Sequence, residues 1–446
     1  MSNALRNTHV VIVGGGFAGL HAAKRLGKAG CRVTLLDKRN FQLFQPLLYE
    51  VATGSLPPGD IAIPQRVVLR KYASVRTIQA TAYDLDPARR VLMHEHGELA
   101  YDTLIVGTGV KHSYFGKDQW KPFAPGLKTV EHAIEIRHKI FKAFELAEVT
   151  DDPVKRAQLM TFVIVGGGPT GVELAGAIGE MAHKTLVKDF RAIDPRDTRI
   201  ILVEGAKGVL PVYGEKLRAA AKKSLETLGV TVRTETMVED IGDGYVRIKH
   251  GDTTETIACG TILWAAGVTA SAFGQIVAER TGAQRDRGGR VLVNPDCSVP
   301  GHDNIFVVGD LAKLTDAAGR DVPGLAQGAM QEGDYVARLL LARAQGKTLK
   351  PFKYRNLGSM AVIGMNHAVG DLGFVKVSGI VGWFIWAFVH IASLVGPEQR
   401  VSVFLQWTWK YLTRRKGDRL ITSKPTNTQQ LRQSRMQPGA NCKADA

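Results

Sequence analysis

Three observations predict an α/β chain built from two like units and an apolar C-terminal piece. Thr161–Gly176 reads TFVIVGGGPTGVELAG, His9–Gly19 reads HVVIVGGGFAG with the same offsets, and Gly379–Gly396 reads GIVGWFIWAFVHIASLVG without a formal charge. In the first two, a short β-branched run of the kind buried in a parallel sheet leads into G-x-G-x-x-G. The first glycine serves the tight turn, the second admits a pyrophosphate close to the backbone, and the third lets the helix pack on the strand. Free N–H groups and the positive dipole end of that helix attract the anion. Glycine makes up 48 of 446 residues, so one such pattern alone marks no more than a strand-to-helix turn. Two full copies argue for two Rossmann-like dinucleotide-binding domains. Each has a later closing strand, Thr103–Gly109 lying 89 residues after Gly14 and Thr261–Gly267 lying 95 after Gly166.

A chain of 446 residues exceeds the size at which one core stops growing, so two or three domains are expected. Its four cysteines, Cys31, Cys259, Cys297 and Cys442, form no C-x-x-C, which argues against a disulfide framework, a zinc ribbon or a redox dithiol. A reduced, intracellular setting fits, and a first strand opening by about residue 9 leaves no room for a signal peptide. The formal charge of +16 points to an anionic partner. Nine Lys or Arg against two Asp lie from Lys410 to Ala446, so the C-terminal stretch carries nearly half the excess.

In the first unit a helix over Leu20–Ala29 precedes a strand, Arg32–Leu36, that ends at Asp37, 18 residues past Gly19. A carboxylate there accepts from a ribose diol in the dinucleotide fingerprint; otherwise it is a solvated strand-end acid. Asn40–Gly54, NFQLFQPLLYEVATG, lacks either period and reads as an ordered loop over a cofactor. Tyr72–Asp86 and Arg90–Ala100 read as a β meander. His94 and His96 share one strand face as either a metal pair or a solvated hairpin, and no third ligand is near. The reading contains no metal site.

Thr129–Glu148 is an amphipathic helix and Thr150–Arg156 a polar linker. The second unit runs from about Met160 to Val268, with its strand-end acid Glu204 33 residues past Gly171. A longer helix and loop over Met181–Thr198 account for that spacing, and a carboxylate there repels a 2′-phosphate, favouring NADH over NADPH. Glu173, two residues after Gly171, either steadies the helix start through the dipole or faces a nicotinamide and relays protons. The strand Asn304–Val308 then returns the chain to the first unit at Gly309-Asp310. A helix beginning near Ala326 carries Gln327 and Gln331 on one face, as surface or as site residues.

The 18 residues from Gly379 sit at the lower limit of a membrane span, contain His390 and Ser393, and hold Trp383 and Trp386 internally. Val401–Leu412 is aromatic and amphipathic and precedes Arg414, Arg415, Lys416 and Arg419. Interfacial anchoring is the favoured expectation, ahead of a core helix or a span. Residues 423–446 are polar and expected to be a disordered tail.

Taken together, the residues up to about 420 resemble the type II NADH:quinone oxidoreductases, single-subunit flavoenzymes that pump no protons. The glycine fingerprints alone suit any two-domain flavoprotein reductase. NFQLFQPLLYEVATGSL, GGGPTGVELAGAIGEM, LAQGAMQ, and GWFIWAFVHIASLVG with LQWTWKYL are similar to the family's flavin loop, NADH site, quinone-site helix and membrane segment. Gln42, where many members have His, and Gly396-Pro-Glu are departures.

The resemblance implies non-covalent FAD held by Gly14, Gly16, Gly19, Asp37, Lys38, Ala82, Gly109, Asp310 and Ala326, and NADH held by Gly166, Gly168, Gly171, Glu204 and Gly267. It implies catalytic roles for Glu173, Gln327, Gln331 and Lys376. It divides the chain into an FAD-binding domain (1–120 and 271–350), an NADH-binding domain (121–270), a membrane-association segment (351–422) and the tail. Expected partners are NADH, a menaquinone or ubiquinone, an anionic membrane surface and a second copy in a homodimer, but not nucleic acid. The expected location is the cytoplasmic face of the inner membrane, as a peripheral protein. The rival readings are a soluble NADH-dependent reductase of a ferredoxin or rubredoxin, and a flavin-stabilised protein that binds membrane or nucleic acid.

Overall fold

The computed structural model describes residues 8–413 and 417–422; the expected disordered tail and Arg414–Lys416 lie outside the described residues. Strand β1 (His9–Val13) is buried along its whole length and leads through the glycine turn into helix α1 (Phe17–Lys28). Strand β2 (Arg32–Asp37) pairs parallel to it. The stretch after β2 is more regular than expected: Phe41–Leu43 is a strand, and Gln45–Leu47 and α2 (Leu48–Ala52) are helical. Its apolar side chains turn into the core in a pattern too short to show a period.

The expected meander is also divided. Strand β3 (Val75–Gln79) pairs parallel with β2 and extends the main sheet. Ala82–Asp86, Val91–His94 and Gly97–Ala100 form a separate antiparallel sheet. His94 is buried and His96 exposed, and no cluster of three metal-ligating side chains occurs among the described residues. Strand β4 (Thr103–Val106) lies on the other side of β1.

Helix α3 (Val130–Glu148) is capped by Thr129, whose hydroxyl accepts from the His132 N–H at 3.3 Å. The supposed linker behind it is a short helix, Pro153–Leu159; Asp152 caps it and proline occupies its first turn, a start signal hidden in a polar run. The second unit follows as β5 (Thr161–Val165), α4 (Pro169–Glu180), β6 (Arg199–Val203), β7 (Val230–Arg233) and β8 (Thr261–Trp264), in the sheet order β7-β6-β5-β8. Strands β9 (Ser298–Val299) and β10 (His302–Val307) complete the first sheet as β9-β10-β4-β1-β2-β3. Helix α5 (Ala326–Arg343) covers it.

The C-terminal piece is a three-stranded antiparallel sheet, β11 (Ser359–Gly364), β12 (His367–Asp371) and β13 (Lys376–Ser378), followed by α6 (Gly379–Ser393) and α7 (Pro397–Thr413). Trp386, Leu394, Val403 and Trp407 belong to the same core as Phe162 and Ile164 of β5. No helix among the described residues is long and apolar enough to cross a membrane.

Candidate functional site

The two glycine turns superimpose in their chemistry. Gly14 and Gly166 have φ of +100° and +108°, a region that a side chain opposes, and each donates to the end of the second strand, Leu36 or Val203, at 2.8 Å. A Cβ on Gly19 would stand 1.9 Å from the Gly14 carbonyl, and one on Gly171 1.8 Å from that of Gly166. The third glycine of each motif therefore sets helix-on-strand contact. Asp37 accepts from the Gly15 N–H at 2.5 Å and from the Arg39 N–H at 2.7 Å; Glu204 accepts from Gly167 at 2.5 Å and from Ala206 at 2.7 Å. Each strand-end acid thus braces the turn it stands beside.

Gly16 and Gly168 cap α1 and α4 without a side-chain partner, and a Cβ on either, or on Gly109, would meet nothing within 4 Å. This leaves room for a pyrophosphate against two helix N-termini, so the residues present fit FAD at the first turn and NADH at the second. Gly267 has φ +71° and lines the cavity beside Glu173. Lys38 is exposed just beyond β2, and Ala82 opens the separate antiparallel sheet.

Asp310 sits in the turn Gly309–Leu311, 3.6 Å from the position a Cβ on Gly324 would take, so it stands before the start of α5 at Ala326. That turn is fixed by Glu332, which the sequence reading missed: its buried carboxylate accepts from the Gly309 N–H at 2.5 Å. Burial pushes the Glu332 carboxyl up to about 8, against the lowering effect of that hydrogen bond. Between the ordinary value of 4.5 and about 8 the unfolded chain releases a proton that the folded chain keeps, so this group's contribution to stability falls as pH rises. Glu332→Gln should lack this slope: across that window the unfolding midpoint of the variant rises relative to the unsubstituted protein. A constant difference would show that Glu332 does not titrate there.

Gln327 and Gln331 each clamp a backbone segment. Gln327 donates to the Gly358 carbonyl at 2.8 Å and accepts from the Leu357 N–H at 2.9 Å; Gln331 does the same with Arg355, at 2.8 and 2.9 Å. Lys376 is exposed on β13, its ammonium facing Gly214, and it lines neither cavity around Glu173.

Those two cavities meet at Glu173 and Tyr49. One is walled also by His112, Lys128, Thr170, Trp264 and Gly267 at the second glycine turn; the other by Glu50, Glu180, β11, Trp383, Trp386, Trp407 and Lys410. Burial raises the Glu173 carboxyl well above the usual range, the Val362 N–H opposes this, and Glu50 adds to it. Burial holds His112 down to about 4, so its ring is neutral at pH 7. Glu50 and Lys410 were not singled out from the sequence, although each is a lone charge in an apolar run, PLLYEVA and LQWTWKYL.

The outer surface of α6 and α7 is apolar. Phe388 is 74% exposed, Trp409 63% and Leu412 74%, with Phe374 at 89% in the preceding turn. Exposed apolar side chains of this size are commonly found where a protein docks on a partner or a membrane. Cys31, Cys259 and Cys297 are buried and free.

Comparisons with known proteins agree with this geometry. Residues 8–333 match the family described as pyridine nucleotide-disulphide oxidoreductase, and residues 356–416 match the NDH2 C-terminal domain. The type II NADH:quinone oxidoreductase Ndh of Mycobacterium tuberculosis is 43% identical over 94% of this chain and 91% of its own length. The fold is shared with NDH2 from Plasmodium falciparum, solved in complex with NADH, at a TM-score of 0.85 and 19% identity over 94% of this chain and all of that one. Sulfide:quinone oxidoreductase from Aquifex aeolicus is more distant, with a TM-score of 0.69 and 18% identity over 95% and 94% of the two chains. With the duplicated cradle, the bridging Glu173 and the matched C-terminal domain, the chain belongs to the type II NADH:quinone oxidoreductase family.

Proposed function

We infer that this protein oxidises NADH with FAD and passes two electrons to a membrane quinone without pumping protons. The observation that carries the reading is the shared wall of Glu173 and Tyr49 between a cavity at the second glycine turn and one under the apolar helices. FAD, when bound, supplies the chemistry that accepts hydride from NADH and releases electrons to the quinone. The chain's own residues bind, orient and supply protons. In this reading 1–120 with 271–350 forms the FAD domain, 121–270 the NADH domain and 351–422 the membrane segment.

Gly14, Gly16, Gly19 and Asp37 would hold the adenosine and pyrophosphate of FAD, joined by Lys38, Ala82 and Gly109. Asp310 and Ala326 would hold the ribityl chain, where the first turn of α5 presents its positive dipole end. Gly166, Gly168, Gly171, Glu204 and Gly267 hold NADH, and the Glu204 carboxylate disfavours a 2′-phosphate. The Glu173 carboxyl, raised by burial, is suited to give a proton to quinone. The clamps made by Gln327 and Gln331 support a positioning role, holding the 355–358 segment against the first turns of α5. Lys376, exposed beside Gly214, carries no support here beyond the resemblance.

The apolar face of α6 and α7, with the basic residues after it in sequence, supports docking on an anionic membrane surface at the cytoplasmic face. Removing residues from 379 onward tests this against a soluble reductase. The truncated, FAD-loaded protein should no longer sediment with anionic vesicles and should lose quinone turnover. Full quinone activity in the truncated form would favour the soluble reading.

A further inference from the structure

Helix α7 turns polar as well as apolar side chains toward the protein. Its exposed face carries Val401, Phe404, Leu405, Trp409 and Leu412, while Ser402, Gln406 and Lys410 follow one another at i, i+4 spacing toward the protein. Ser402 donates to Asp60 Oδ1 at 2.9 Å, and Gln406 donates to the same carboxylate. One turn on, Lys410 donates to both Glu50 oxygens at 3.2 Å and lies 3.4 Å from Ser55 Oγ. A lysine on a surface helix ordinarily extends to water. This one is turned inward, into the cavity that Glu173 also lines.

We propose that the Glu50–Lys410 pair is a positioning pair for quinone reduction, setting the proton affinity of Glu173 through the cavity wall that the three side chains share. The inference rests on the quinone reading above. In the step concerned, one proton leaves the Glu173 carboxyl for a quinone oxygen as the O–H bond forms, and the carboxylate left behind is reprotonated from water. The two electrons and the second proton are those that NADH supplies as hydride.

The charges around Glu173 decide how readily it does this. From α2 come Tyr49, which donates to Glu50 Oε1 at 3.1 Å, and Glu50 itself; from α4 comes Glu180, 5% exposed; from α7 comes Lys410. Tyr213 faces it from the segment before Glu215, and His112 and Lys128 face it from the second cavity. Among the described residues, Lys410 is the only cation in the wall of the first cavity, and Glu50 is the acid it pairs with. Burial pulls the Lys410 ammonium down, but Glu50 and Glu180 outweigh it, so the lysine stays charged. Paired with Lys410, Glu50 adds to the raising of the Glu173 carboxyl. Without Glu50, an uncompensated ammonium would remain and drive Glu173 to release its proton at lower pH.

The test is an infrared titration of FAD-loaded protein, following the protonated-carboxyl C=O stretch identified by its loss in Glu173→Gln. Glu50→Gln should move the midpoint of that band to lower pH by about one pH unit or more. The alkaline limb of ubiquinone-1 turnover should move with it. Adding Lys410→Met to Glu50→Gln removes the stranded charge and should bring both back toward the starting values. Stoichiometric flavin and bleaching by NADH establish that each variant is folded. An unmoved midpoint in folded Glu50→Gln, or a double variant that stays with the single one, would overturn the pair's role. An unsubstituted protein that bleached with NADH yet reduced no quinone would instead overturn the quinone reading itself.

Discussion

Gly171→Val should leave the protein loaded with FAD and lower its kcat/KM for NADH by at least ~100-fold, the size of effect that follows when a bound reactant is displaced by about an ångström. The added Cβ would stand 1.8 Å from the Gly166 carbonyl and 3.3 Å from the Ala265 side chain, so α4 must move off β5. That shift carries Gly168 and the first-turn N–H groups away from the pyrophosphate and displaces Glu173 with them. The matching substitution Gly19→Val, with its Cβ 1.9 Å from the Gly14 carbonyl, should give protein without flavin instead. Flavin absorbance of the purified variants and stopped-flow bleaching by NADH separate the two outcomes. Loss of flavin from Gly171→Val and retention in Gly19→Val would reverse the assignment of the two cradles.

Trp386→Ala should destabilise the C-terminal piece by roughly 3–5 kcal/mol, the range for truncating a buried tryptophan. Trp386 is 2% exposed, stacks on Trp407 at 5.0 Å, packs tilted against His390 at 4.5 Å, and ties α6 and α7 to the core beneath β5. Its removal loosens the wall of the cavity that holds Glu173 and Lys410, so quinone turnover falls while NADH still bleaches the flavin. Hydrogen exchange across 379–413 should rise in step. The indole N–H groups of Trp386 and Trp407 are buried without an acceptor among the described residues. Trp386→Phe keeps the stack and removes that donor. If its quinone KM rises while its stability is near normal, the indole N–H contacts the acceptor; a KM unchanged by Trp386→Phe would restrict the residue to packing.

The cradles were legible because their physics is local. Turn, close approach and dipole all lie within the few residues from Gly14 to Gly19 and from Gly166 to Gly171, and Asp37 and Glu204 follow at the end of the next strand. Helix α3 was equally plain, since its stripe and its Thr129 cap are both local. What the sequence withheld depends on distant contact. Glu50 meets Lys410 across 360 positions, and Glu332 fixes a turn 23 residues earlier through one backbone amide. Val75–Gln79 joins the parallel sheet because β2 offers it an edge, which no alternation pattern discloses. Gln327 and Gln331 showed their common helix face, but their amides grip the 355–358 backbone, a partner that becomes visible only in the fold. Lys376 was carried by resemblance alone, whereas Lys410 lines the cavity under the apolar helices together with Glu173.

The most direct test of the account is anaerobic rapid mixing of FAD-loaded protein, first with one equivalent of NADH and then with a menaquinone or ubiquinone analogue. The flavin band should bleach on the first addition and return on the second, with one quinol formed per NADH consumed. Bleaching without recovery in either quinone, with recovery in a ferredoxin or rubredoxin, would contradict the central claim and leave the chain a reductase of a soluble acceptor.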